Sequence, residues 1–210
     1  MGSGGKVKIR CVAVKGDTKG NNYDLDLDPS SEDINENPGS IALLVRLGEF
    51  EFYTAGDQTD DDWKGYPPVE ENVLDSGAII GGNDIDVIKV SHHGSDTSTS
   101  KALAEKMLPE VAIMSTKYTK DQLPKKIILK QFQDNRCYVL ITGDGTNPDT
   151  LDYTDSWVTD EDDNFTASDA AVYNDQGNVT VLVSSDGSRY TVIGDSFGKT
   201  FSARDGDNAR

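Results

Sequence analysis

Histidine and cysteine are nearly missing from this chain of 210 residues, with two of each. The histidines are neighbours, His92 and His93, so a His-x-His cluster or any three-imidazole metal site is excluded from the sequence itself. Cys11 and Cys137 sit in separate apolar runs without CxxC spacing; they are expected as buried free thiols, with a disulfide as the alternative. No stretch approaches the ~20 apolar residues that span a bilayer, and no secretory signal pattern is read. Basic residues are also short. Twenty Lys and Arg face 37 Asp and Glu, a net charge of −17. That balance excludes a general basic field for polyanions, so a nucleic-acid contact would have to rest on a local patch or a metal. The acidic excess reads as a solvated, solubilising surface.

What is present fits one sizeable core. Met1–Gly5 (MGSGG) reads as a linker or tag. Residues 6–202 are taken as one domain carrying an acidic insertion at 147–170, and 203–210 as a disordered tail. Lys6–Val14 alternates, with Val7, Ile9, Cys11 and Ala13 on one face, and predicts a half-buried strand. Residues 15–39 read as a long exposed loop. Ser40–Leu47 and Phe50–Thr54, joined by Gly48-Glu49, predict a β-hairpin. A short helix over 69–74 follows, then a strand Asp86–Val90. Ser98 is expected to cap a helix through Leu108, with Leu103, Met107 and Leu108 on its apolar side. Val111–Ser115 and Cys137–Thr142 predict strands around a basic amphipathic helix at 124–132. This strand–helix alternation predicts an α/β layer. Val179–Val183 and Arg189–Ile193 predict a second hairpin.

Chemistry concentrates at two strand ends. Ser91-His92-His93-Gly94-Ser95 closes the strand Asp86–Val90, and Ala55-Gly56-Asp57 closes the first hairpin. In α/β sheets such ends share an edge, where ligands bind. A carboxylate and an imidazole there make a mixed O/N donor set suited to Zn²⁺ or Mn²⁺. If the loop is extended, consecutive side chains oppose one another, and only one histidine reaches the site while the other orients it. The ordinary alternatives are a surface or capping His-His pair, and an Asp that caps a turn.

The order of these motifs resembles the second half of a metallo-β-lactamase-fold hydrolase, nearest to the soluble domain of ComEC-type competence DNA-uptake proteins. The resemblance runs over roughly residues 6–193. It rests on Asn37-Pro38-Gly39-Ser40-Ile41, Thr54-Ala55-Gly56-Asp57, Asp86-Val87-Ile88-Lys89-Val90-Ser91-His92-His93-Gly94-Ser95, Ser98-Thr99-Ser100 and Leu108–Ser115. It implies a four-layer αββα sandwich with a metal site at one edge. It also implies Asp57, His92 and His93 as catalytic and metal-binding residues, and a divalent zinc or manganese that activates water against a phosphodiester or ester.

Two departures count against turnover by this chain. The family's His-x-His-x-Asp-His loop is absent, and Leu123 stands where the family tends to place a histidine before Pro124. Asp57 with one or two imidazoles falls short of the three protein ligands of a catalytic zinc. The chain is therefore expected to be part of a metal-dependent hydrolase, inactive alone and binding its metal weakly. Its partner would be a second copy or a chain supplying the missing half, which also covers the apolar face of Ile41, Leu43, Val45, Phe50 and Phe52. The alternative is a degenerate, non-catalytic binding or assembly module on the same fold. A Ca²⁺-binding surface is a third reading, drawn from Asp24–Asp28 and Asp160–Asp163, but neither run has the loop pattern of an EF-hand. Lys125, Lys126 and Lys130 read as the solvated face of their helix, with phosphate contact the weaker reading.

Overall fold

The structure, a computed structural model, describes residues 5–19, 36–60, 67–77, 79, 85–116, 123–143, 172–173 and 175–203. The acidic insertion at 147–170, the two Asp-rich runs and residues 204–210 lie outside the described residues.

The largest element is a mixed eight-stranded sheet. Its strands are β1 (Lys8–Val14), β2 (Asp17–Thr18), β3 (Ala42–Leu47), β4 (Phe50–Thr54), β5 (Val87–Lys89), β6 (Val111–Met114), β7 (Tyr138–Ile141) and β8 (Val172–Tyr173), in the order β2-β1-β3-β4-β5-β6-β7-β8. Strands β1 to β4 pair antiparallel, and β4 to β8 pair parallel. Strands β5 to β8 are short and, Lys89 apart, carry only apolar or aromatic side chains, as strands covered on both faces do.

Each face has its own cover. The row Leu44–Tyr53–Ile88–Ala112–Val139 points to one side and packs under three helices, α1 (Val69–Asp75), α2 (Lys101–Met107) and α3 (Lys126–Asp134). Val69, Val73, Leu103, Met107, Ile128, Leu129 and Phe132 supply the helical side of that core. The neighbouring row, Phe52–Val87–Val111–Tyr138, points the other way. A three-stranded antiparallel sheet covers it, formed by β9 (Thr180–Val183), β10 (Arg189–Ile193) and β11 (Gly198–Ser202). Tyr190 anchors this second core. Its ring stacks on Phe201 with centroids 5.0 Å apart, and its hydroxyl donates to Glu110 Oε2 at 3.2 Å. The result is a mixed α/β fold in three layers, helices on sheet on sheet.

Several expectations change. The alternation of the first strand places Ala13 in the core, but Ile9 is 67% exposed and Cys11 is also exposed. A β-bulge between Cys11 and Ala13 breaks the alternation, so Val12 and Ala13 are both buried. Ile9 pairs with Val45 at the end of the row that the small sheet begins to cover only at Phe52. Of the two thiols, both free, only Cys137 is buried. Ser100 caps α2, accepting from the Leu103 amide at 3.1 Å, while Ser98 turns to the Ser91 carbonyl. Leu108 is not on the apolar side of that helix; it ends the helix in the left-handed conformation, φ 41°. The strands β2, β8 and β11 were not foreseen. Ala203, expected to open the disordered tail, is buried in the second core. Phe50 and Phe52 are covered within the chain, whereas Ile41 is 56% exposed. Among the described residues no helix is long and apolar enough to cross a membrane.

Candidate functional site

Parallel pairing aligns Thr54, Lys89 and Ile113 across β4, β5 and β6. The chains leaving these three residues carry Asp57, the His92-His93 pair and Ser115, so the sheet delivers all four to one edge. His93 Nδ1 lies 2.5 Å from the Ser115 carbonyl oxygen, and its Nε2 lies 3.6 Å from Asp57 Oδ1. A carbonyl only accepts, so Nδ1 carries a hydrogen and, in the neutral ring, Nε2 offers its lone pair toward the carboxylate. Two acceptors facing each other at this distance need a proton or a cation between them. The side chains are 42% and 38% exposed, open to an entering ion.

His92 is turned elsewhere. Asn37 Nδ2 donates to its Nε2 at 3.2 Å, and its Nδ1 donates to Thr97 Oγ1 at 3.0 Å. Burial pushes this imidazole below its ordinary range, against the opposing pull of Asp57, so it is held neutral. Its amide donates to the Gly56 carbonyl at 2.9 Å, tying the loop to the Asp57 turn. The loop is not extended: His92 (φ 45°), His93 (φ 55°) and Gly94 (φ 79°) all adopt the left-handed conformation. For two non-glycine residues this stores roughly 1–3 kcal/mol each. The histidines diverge because of this tight turn, not because of strand pleating.

Around the pair, Ser40 Oγ accepts from the Asp57 amide at 3.1 Å, and Lys89 Nζ donates to the Gly56 carbonyl at 3.3 Å. Burial lowers the Lys89 pKa, with Asp57 and Glu70 resisting. Beneath the loop lies an acidic pair, Glu70 fully buried and Asp60 half-buried. Glu70 binds Ser91 and Thr99; Asp60 accepts from the Glu71 amide at 2.8 Å and the Ser100 amide at 3.2 Å, joining the first turns of α1 and α2. Burial raises both carboxyls, Asp60 to about 6 and Glu70 to about 8.

A shared metal can be tested on this donor set. Nitrogen and oxygen ligands at about 2.1 Å from a tetrahedral ion stand about 3.4 Å apart. The 3.6 Å between His93 Nε2 and Asp57 Oδ1 fits that span, and the Ser115 carbonyl supplies the orienting bond that ligating imidazoles usually have. Asp57 and His93 thus fit two positions. His92 has both ring nitrogens engaged, and no group of three or more His, Cys, Asp or Glu suited to a metal occurs among the described residues. Sequence reasoning gave no role to Asn37, Ser40, Asp60, Glu70 or Thr97. Asn37 and Ser40 belong to the segment Asn37-Pro38-Gly39-Ser40-Ile41, and Glu70, inside a short helix, carries no periodic signal. Leu123 is half-buried, next to Pro124, which packs on Gly94 beside the histidine loop. No protein-family model and no curated protein matches the chain.

Proposed function

We propose that Asp57 and His93 are the carboxylate and imidazole of a divalent-metal site in a metal-dependent hydrolase similar to the ComEC-type phosphodiesterases. The helices and the eight-stranded sheet then form one α layer and one β layer of a metallo-β-lactamase-like sandwich. The observation that carries this reading is the orientation of His93: Nδ1 is fixed on the Ser115 carbonyl, and Nε2 faces the Asp57 carboxylate. A bound divalent ion would supply an acidified water and polarise a phosphoryl oxygen. Asp57 and His93 would hold it, Ser115 orients the ring, and His92 ties the loop to Asn37, Thr97 and the Gly56 carbonyl. Two ligands are one short of a catalytic zinc site, so further donors must come from outside the described residues or from another chain.

Zinc titration by calorimetry tests this reading. The chain is expected to bind weakly, with Asp57→Asn and His93→Ala each abolishing binding while the circular dichroism spectrum is unchanged. Zinc uptake indifferent to both substitutions overturns it. The second reading, a non-catalytic binding or assembly module, is favoured by Leu123 at the position where the resembled family tends to carry histidine. Complete absence of binding by the wild-type chain would select that reading.

A further inference from the structure

Ser91 and Thr99 bracket the histidine loop, and a single side chain holds both. Glu70, in the first turn of α1, is fully buried. Its Oε1 accepts from the Ser91 hydroxyl, and its Oε2 accepts from the Thr99 amide at 2.5 Å. Between these two anchors the chain makes its left-handed turn through His92, His93 and Gly94, closed by the Ser95 amide on the His92 carbonyl at 2.9 Å. Ser98 Oγ spans the same loop, donating to the Ser91 carbonyl at 3.1 Å and the Ser95 carbonyl at 3.0 Å. The strained turn is therefore over-determined by its supports, as persistent left-handed residues require.

We propose that Glu70 is the positioning residue of the His92-His93 pair, a carboxyl clamp that holds both ends of their loop. A carboxyl offers an acceptor at each oxygen, where an amide offers one acceptor and one donor, so Glu rather than Gln fits a hydroxyl and a backbone amide that both donate. The groups facing it are Asp60 from the turn after β4, Tyr53 from β4 and Lys89 from β5. Burial and Asp60 favour the neutral acid; the Ser91 and Thr99 bonds and Lys89 oppose them and lose, leaving the carboxyl at about 8. Below that pH the acid has a hydrogen of its own to place; above it, the carboxylate only accepts, and Ser91 must donate. Ser91 is the chain neighbour of His92, so its anchor is the one nearer the imidazoles. The clamp's effect on the imidazoles stands by itself; its effect on metal uptake rests on the proposed metal site.

Because the chain has only two histidines, ring C–H signals from nuclear magnetic resonance report on this loop alone. The wild-type rings are expected to show a step near pH 8 that Glu70→Gln abolishes while leaving the backbone spectrum elsewhere in place. Absence of the step in the wild type, or its persistence in Glu70→Gln, overturns the clamp. If Glu70→Gln does not fold, Ser91→Ala cuts one anchor and retains the carboxyl; an unchanged step there overturns the clamp equally. Zinc titrations on the same proteins separate the two claims. Binding about tenfold weaker in Ser91→Ala supports the clamp acting on the site. Zinc binding to none of them removes the metal reading and leaves the clamp to be decided by the ring signals.

Discussion

A Cβ placed on Gly94 would lie 2.6 Å from the Cβ of Pro124, so the histidine loop and the approach to α3 meet with no space between them. The Lys125 amide seals this contact on the Gly94 carbonyl at 2.8 Å. Gly94 also has φ 79°, which disfavours any side chain. Gly94→Ala is expected to lower stability by roughly 1–3 kcal/mol and to displace His93 from Asp57. Urea unfolding checks the first part and the histidine ring signals the second; an unaltered spectrum would show that the turn absorbs the methyl.

The carboxyls of Glu70 and Asp60 set a pH dependence of stability whose sign can be worked out. Folding raises Glu70 from 4.5 to about 8 and Asp60 from 3.8 to about 6. The folded state therefore holds more protons than the unfolded chain in these windows, and stability must fall as pH rises through them. The contribution of Glu70 is complete below its unfolded value and is lost by the time pH passes about 8. Urea midpoints between pH 5 and 8.5 should decline in the wild type and decline less in Glu70→Gln. Parallel slopes for the two proteins would contradict the assignment.

Helix α3 offers a paired test of its orientation. Phe132 is fully buried against the large sheet, and Ile127 is 59% exposed. Phe132→Ala is expected to cost roughly 3–5 kcal/mol. Ile127→Ala should stay within about 0.5 kcal/mol. Thermal melts showing comparable losses would mean that the helix packs through a different face.

Hydrolysis of a bis-aryl phosphate by the chain alone is expected to stay at the uncatalysed rate with zinc or manganese added, because two ligands do not hold an ion and an open water position. Chelator-sensitive turnover that His93→Ala removes would show that the remaining ligands lie within this chain.

The sequence made the parallel strands and their helices legible because pattern and burial agree there. Val87-Ile88, Val111-Ala112-Ile113-Met114 and Val139-Leu140-Ile141 are apolar on both faces, and both faces are covered. It was misleading at β1, where Val7, Ile9 and Cys11 alternate like core residues but run past the edge of the small sheet. A bulge and the extent of a distant layer leave no local trace. The proximity of Asp57 to His93 was readable, since strand ends of one parallel sheet converge. The roles of Glu70 and Asn37 were not, because each depends on a contact made across loops. The direction of each imidazole was also hidden: it follows from three successive left-handed residues, of which only Gly94 signals that conformation.

The small sheet has a consequence for the order in which the molecule assembles. Its apolar side is buried only against β4–β8, and its anchor Tyr190 reaches Asp86, 104 residues earlier in the chain. Contacts of such long separation form late, once the strands they join are already in place. The turn Gly187 leaves no room for a Cβ against the Leu47 carbonyl, so its seat exists only after β3 and β4 have paired. Strands β9–β11 are thus expected to dock after β4–β7 have paired and to open before them. Their amides should exchange with solvent deuterium sooner than those of β5–β7, even though the hairpin within them is the more local structure.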